Sequence, residues 1–139
     1  MRKVIAYISG HYAPVIDHLT YYIYMRDDQG NSYKLDGKIT DEDTKQHKQI
    51  AAELIAAITA TKKAIELGYE QIELCYRFDG VQYFFTGYWR TKSDFSYNYK
   101  NTMYKLSKKI DITFRKATKS DVNPMKEIVN VNNWLNIRR

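Results

Sequence analysis

Hydrophobic positions along this chain alternate between two periods. Residues 3–9 (KVIAYIS) set Val4, Ala6 and Ile8 against Ile5, Tyr7 and Ser9; both sets are largely apolar, which predicts a central strand covered on both faces. Gly10-His11-Tyr12-Ala13-Pro14 is expected to break it. Residues 19–26 (LTYYIYMR) predict a second strand, Asp27-Asp28-Gln29-Gly30-Asn31 a hairpin turn, and residues 32–39 a third, more polar strand suited to a sheet edge. The period then lengthens. In QIAAELIAAITATKKAIEL (49–67), Ile50, Leu54, Ala57, Ile58 and Ile65 recur at helical spacing and predict one long helix with an inward stripe. Thr40 is its expected N-cap, Asp41, Glu42 and Asp43 complement its positive end, and Gly68 stops it.

Period two returns at QIELCYRFDGVQYFF (71–85), where Ile72, Leu74, Tyr76 and Phe78 alternate with Glu73, Cys75, Arg77 and Asp79 and predict a fourth strand. Residues 93–109 predict a second helix with Tyr97, Tyr104 and Leu106 inward. Residues 110–117 (IDITFRKA) predict a fifth strand. A last helix is expected from about Asn123, with Pro124 in its first turn. The order βββαβαβα predicts an α/β fold with a mixed five-stranded sheet flanked by helices, one domain over residues 1–139.

Composition adds limits. Cys75 is the single cysteine, so no internal disulfide or cysteine-based zinc cluster can form; its mid-strand position among apolar residues predicts a buried, inert thiol. No segment approaches the ~20 apolar residues of a membrane helix, and the opening MRKVIAYISG lacks the apolar run of a signal peptide, so a cytoplasmic protein without a membrane partner is expected. The net charge of +6 is unevenly spread. Residues 90–119 hold nine Lys or Arg against two Asp, a net of +7, while the rest of the chain is close to neutral. Such a local excess fits a polyanion-binding face; a solvated basic helix is the plainer alternative.

One carboxylate draws attention. Glu53 falls at the edge of the helix's inward stripe, where a charge is costly unless a cation, a metal or hydrogen-bond donors meet it. Ala52-Glu53-Leu54 on a long helix, followed by Tyr76-Arg77-Phe78-Asp79-Gly80-Val81 and Thr86-Gly87-Tyr88-Trp89, resembles ribonuclease H. The closest branch has a fourth strand reading Tyr-Asp-Tyr-Glu-Gly-Ile, followed by Thr-Gly-Glu-Trp. The likeness covers nearly the whole chain and is sharp from residue 76 to residue 89.

That resemblance implies cleavage of the RNA strand of an RNA–DNA hybrid by two Mg²⁺ ions held on four carboxylates. Carried over residue by residue, the first carboxylate falls on Ser9, in Ser9-Gly10-His11-Tyr12, and the second on Glu53. The third falls on Arg77. The ungapped register places Ser120 at the family's loop His and Asn130 at its fourth Asp, and a shift there would bring Glu127 to the site instead. The resemblance thus implies a degenerate site of Ser9, Glu53, Arg77 and Asn130, with Arg77 replacing the metal as the partner of Glu53. No cofactor is expected, Mg²⁺ entering only if the altered site is active. Gln49 occupies the place of an Asn that touches the RNA sugar. Arg90, Lys92, Lys100, Lys105, Lys108 and Lys109 match the region that holds the duplex backbone, with Tyr88, Trp89, Phe95 and Tyr97 interleaved as stacking or packing residues. His11, His18 and His47 lack metal-ligand spacing and are expected in loops or on the surface.

The expected function is a pseudoenzyme: a ribonuclease H-like domain that binds nucleic acid, as an RNA–DNA hybrid or another A-like duplex, without cleaving it. Two alternatives stand beside it. One is a protein-interaction or assembly module on the same fold. The other is an active metal-dependent ribonuclease H with a site rebuilt from Glu53, Asp79 and Glu127.

Overall fold

Three antiparallel strands open the chain in the computed structural model, which describes residues 2–118 and Asp121. They are β1 (Lys3–Ala13), β2 (His18–Asp27) and β3 (Ser32–Ile39). A short helix α1 (Glu42–Lys45) and a long helix α2 (Lys48–Glu66) lead to β4 (Gln71–Tyr76). Helices α3 (Gly80–Thr86) and α4 (Asp94–Leu106) then precede β5 (Asp111–Lys116). The five strands form one mixed sheet in the order β3-β2-β1-β4-β5. β1 is antiparallel to β2 and parallel to β4, and β4 is parallel to β5. The two strands read as central and as edge, β1 and β3, take those places.

Alternation along the strands sends Val4, Ala6, Ile8, Ile23, Met25, Ile72 and Leu74 toward the helices, all fully buried. Each large aliphatic side chain among them contributes about 1.5–3 kcal/mol by leaving water. Helix α2 meets this face through small residues: Ala51, Ala52, Ala56, Ala57, Ala60 and Ala64 are completely buried, with Leu54 and Thr61 among them. Small side chains let the helix lie close to β1, and Gly10 completes the approach. A Cβ at Gly10 would stand 2.7 Å from the Ala52 Cβ and 3.0 Å from the Gln49 carbonyl oxygen, so a larger residue there would push helix and strand apart.

Several expected elements differ in detail. Gly10 does not end β1, because β2 pairs with it as far as Ala13↔His18; Pro14 follows. The first helix is two helices. Asp41, not Thr40, caps α1 by accepting from the Thr44 amide at 2.9 Å, and Gln46 and His47 separate α1 from α2, which opens on Lys48 at φ +54. Gly68, at φ +85, follows the end of α2 as expected. Ile50 is 45% exposed and lies outside the inward stripe, which the alanines supply instead.

The fourth strand stops at Tyr76, and residues 80–86 are helical rather than extended, with Val81 fully buried and Phe84 and Phe85 packed against the core. Helix α4 is rotated from its expected phase: Tyr99 and Met103 face the core, Leu106 is half-buried, and Tyr97 and Tyr104 are more than half exposed. Its start is firm, since Ser93 and Ser96 form a reciprocal capping box. The expected last helix lies outside the described residues. No helix among the described residues is long and apolar enough to cross a membrane.

Candidate functional site

The parallel pairing of β1 with β4 ends at Tyr7↔Cys75. Two residues beyond that pair, Ser9 on β1 and Arg77, just past the end of β4, both line the gap that opens where the strands no longer pair. Into this split α2 projects Glu53. The result is a cleft of about 310 Å³ lined by Ser9, Gly10, Gln49, Ile50, Glu53, Arg77 and Phe78. Three of the four positions singled out in the sequence, Ser9, Glu53 and Arg77, are therefore brought together, with Gln49 on the wall. Asn130, Ser120 and Glu127 lie outside the described residues.

Glu53 is 7% exposed, so its partners decide the chemistry of the cleft. They are backbone amides. The N–H groups of Arg77 and Phe78 both donate to Glu53 Oε1, at 2.5 and 2.9 Å. The chain leaving β4 has just lost its sheet partner, and the carboxylate accepts the two N–H groups that no strand takes. Burial pushes the Glu53 carboxyl above its ordinary value, while the two amide bonds and the charges of Arg77 and Lys116 oppose the rise.

The expected Arg77–Glu53 ion pair is absent. Arg77 is exposed, and no carboxylate among the described residues lies within ion-pairing distance of its guanidinium. The reason is local: the Arg77 main chain already occupies the acid, which leaves its side chain at the cleft mouth. Its carbonyl is also held, accepting from Lys116 Nζ.

Lys116 is a residue the sequence reading did not single out. The parallel register of β5 on β4 sets it opposite Tyr76, where its ammonium pairs with Asp79 at 2.7 Å. Asp79 is thus neither on a strand nor in the cleft lining; it stands at the N-terminus of α3 with Lys116 as its partner. Among the described residues the donors do not make up a site for a pair of divalent cations. One carboxylate, with Oε1 taken by two amides, faces a neutral Ser9 and a permanent cation, and no group of three His, Cys, Asp or Glu side chains among the described residues could hold a metal.

The basic segment is open to solvent. Arg90, Lys92, Lys105, Lys108 and Lys109 are exposed and Lys100 is half-buried; among the described residues none of the six pairs with a carboxylate. The aromatic residues between them divide. Trp89 packs against Phe78, Tyr83 and Phe84 with ring centroids 5.4–5.9 Å apart, and Phe95 stacks on His47 at 5.1 Å. Tyr88 and Tyr97 are 76% and 56% exposed. His18 is exposed, and His11 lies in β1 rather than in a loop. Cys75 is fully buried, which pushes its thiol up to about 12 and keeps it in the unreactive form.

No family model and no curated protein matches the sequence. Solved structures do match. Ribonuclease H1 of the halophilic archaeon Halobacterium salinarum superposes with a TM-score of 0.71 at 19% identity, over 85% of this chain and 87% of that one. LC11-RNase H1, isolated from compost by a metagenomic approach, gives 0.72 at 15% identity over 92% and 93%. The same protein in complex with an RNA/DNA hybrid gives 0.69 at 14% identity over 85% and 87%. With the sheet order and the placement of Glu53 between β1 and β4, these likenesses show that the chain has the ribonuclease H-like fold.

Proposed function

We propose that this protein is a catalytically silent ribonuclease H-like module that binds nucleic acid of A-like geometry, an RNA–DNA hybrid being the first candidate. The observation that carries this reading is the contrast at the split between β1 and β4. The cleft keeps its acid but ties it to backbone amides, beside a serine and an arginine, and among the described residues neither that arginine nor the six cations of the neighbouring segment pair with a carboxylate. On this reading a duplex-binding face is kept, while the described residues hold no donor set for two metals. The hybrid bound by LC11-RNase H1 on the same fold supports that choice of ligand.

A salt titration of binding to a labelled hybrid tests the reading. With three to five phosphate contacts, log affinity falls against log salt with a slope of roughly −3 to −5, and the hybrid stays intact in Mg²⁺ or Mn²⁺. Cleavage that disappears in Glu53→Ala would overturn the silent-site reading. A second reading, a protein-interaction module, is favoured by the β1–β2 turn, where Val15 and Ile16 are 96% and 60% exposed side by side. Absence of hybrid binding even at low salt selects it.

A further inference from the structure

At the mouth of the cleft the sign of the site is reversed. Where the resemblance implies an acid that gathers cations, the chain presents the guanidinium of Arg77, exposed and without a carboxylate partner among the described residues. Its backbone is held at both ends of the residue, the N–H by Glu53 Oε1 and the carbonyl by Lys116 Nζ. A charged side chain on an otherwise free turn would lose much of its binding energy to ordering; this one starts from an anchored main chain. We propose that Arg77 binds a backbone phosphate of the nucleic acid directly, guanidinium to phosphate, at the mouth of this cleft. This rests on the nucleic-acid reading above.

Four features suit the assignment. The guanidinium fork matches two phosphate oxygens at once, which an ammonium cannot do. Ser9 and Gln49 line the same cleft and are neutral donors available to a third oxygen. Glu53, the one acid in the lining, is 7% exposed, and its Oε1 faces the two amides. Lys116 adds a second positive charge behind Arg77, partly compensated by Asp79. A phosphate entering the mouth therefore meets Arg77 first and the carboxylate last.

Anisotropy titrations of a labelled RNA–DNA hybrid with the full chain, each in EDTA and in Mg²⁺, test the proposal. Arg77→Ala is expected to melt like the wild type, to weaken binding roughly tenfold to a hundredfold, and to reduce the magnitude of the salt slope by about 1, equally with and without Mg²⁺. Arg77→Lys keeps the charge but not the fork, and is expected to fall between Arg77→Ala and the wild type. The combined variant Lys105→Ala, Lys108→Ala, Lys109→Ala serves as the reference for the basic segment. If that variant loses affinity while Arg77→Ala binds like the wild type, the phosphate contact at Arg77 is overturned and the nucleic-acid reading stands. If the wild type itself fails to bind at low salt, it is the nucleic-acid reading that falls.

Discussion

Two buried carboxylates, one on each side of the sheet, are held in opposite ways. Asp121 is 4% exposed, and one guanidinium nitrogen, Arg115 Nη1, donates to both of its oxygens at 2.8 Å. The Thr118 amide donates to it at 2.9 Å, and Arg115 Nε reaches Glu73 at 2.9 Å. Against the cost of burial, these bonds hold the Asp121 carboxyl at about 2. Glu53 is almost as buried but has amides for partners and, among the described residues, no side-chain cation in ion-pairing distance, and its carboxyl is shifted upward instead. The arginine at Asp121 is consumed by its acid; the arginine beside Glu53 is left over. An acid saturated by a fixed cation is a structural tie, whereas an acid satisfied by the main chain frees the neighbouring cation for a ligand.

The largest expected effect breaks the saturated pair. Arg115→Ala leaves Asp121 charged and buried, at a cost of about 3 kcal/mol in urea unfolding, the low end for an orphaned buried charge because Arg115 is one-third exposed. The pH dependence follows in sign. With its folded value depressed to about 2, the Asp121 contribution is complete above the unfolded value of about 3.9 and is lost as pH falls from there toward 2. In Arg115→Ala that acid-side loss should flatten.

Glu53→Ala comes next. It strips the acceptor from the Arg77 and Phe78 amides and is expected to cost about 2 kcal/mol in the same assay. Glu53→Gln keeps a carbonyl acceptor and is expected to stay within about 1 kcal/mol of the wild type. The pH sign is the reverse of Asp121: a carboxyl raised on folding loses stability as pH climbs through the interval between its ordinary and its raised value, and Glu53→Gln should remove that slope.

The smallest effect is the sharpest discriminator. Arg77→Ala should change stability by no more than about 0.5 kcal/mol, since its side chain is exposed and pairs with no carboxylate among the described residues; a loss of several kcal/mol would mean that the guanidinium pairs with Glu53 after all.

The strands and the acid were legible in sequence because they obey short-range patterns. Alternation marked β1 as central and β3 as an edge, helical spacing put Glu53 at the edge of an inward stripe, and the resemblance to ribonuclease H set Ser9 and Arg77 beside it. What sequence did not carry was the partner of Glu53. A two-pronged ion pair is the natural answer when only side chains are visible, yet the acid took main-chain N–H groups that became available because β1 and β4 separate after Tyr7↔Cys75. The extent of β4 failed for a related reason. Tyr76 and Phe78 continue the alternation in letters, but the chain turns after Tyr76, and Val81, Phe84 and Phe85 then pack at helical rather than strand spacing. In α4 the rings of Tyr97 and Tyr104 suggested the inward face, while Tyr99 held it, its hydroxyl donating to the Val81 carbonyl at 2.6 Å. Lys116 was hidden because its approach to Asp79 depends on the register between β4 and β5.

Amide chemical shifts of Arg77 and Phe78 report directly on the split between β1 and β4. Titrating Mg²⁺ into the free protein and then adding an RNA–DNA hybrid asks which kind of ligand the cleft takes. The account predicts no saturable change at these two amides with Mg²⁺ and a clear change at both with the hybrid, in EDTA as well as in Mg²⁺. A saturable Mg²⁺ response at Arg77 and Phe78, with the hybrid shifting them only when metal is present, would contradict it.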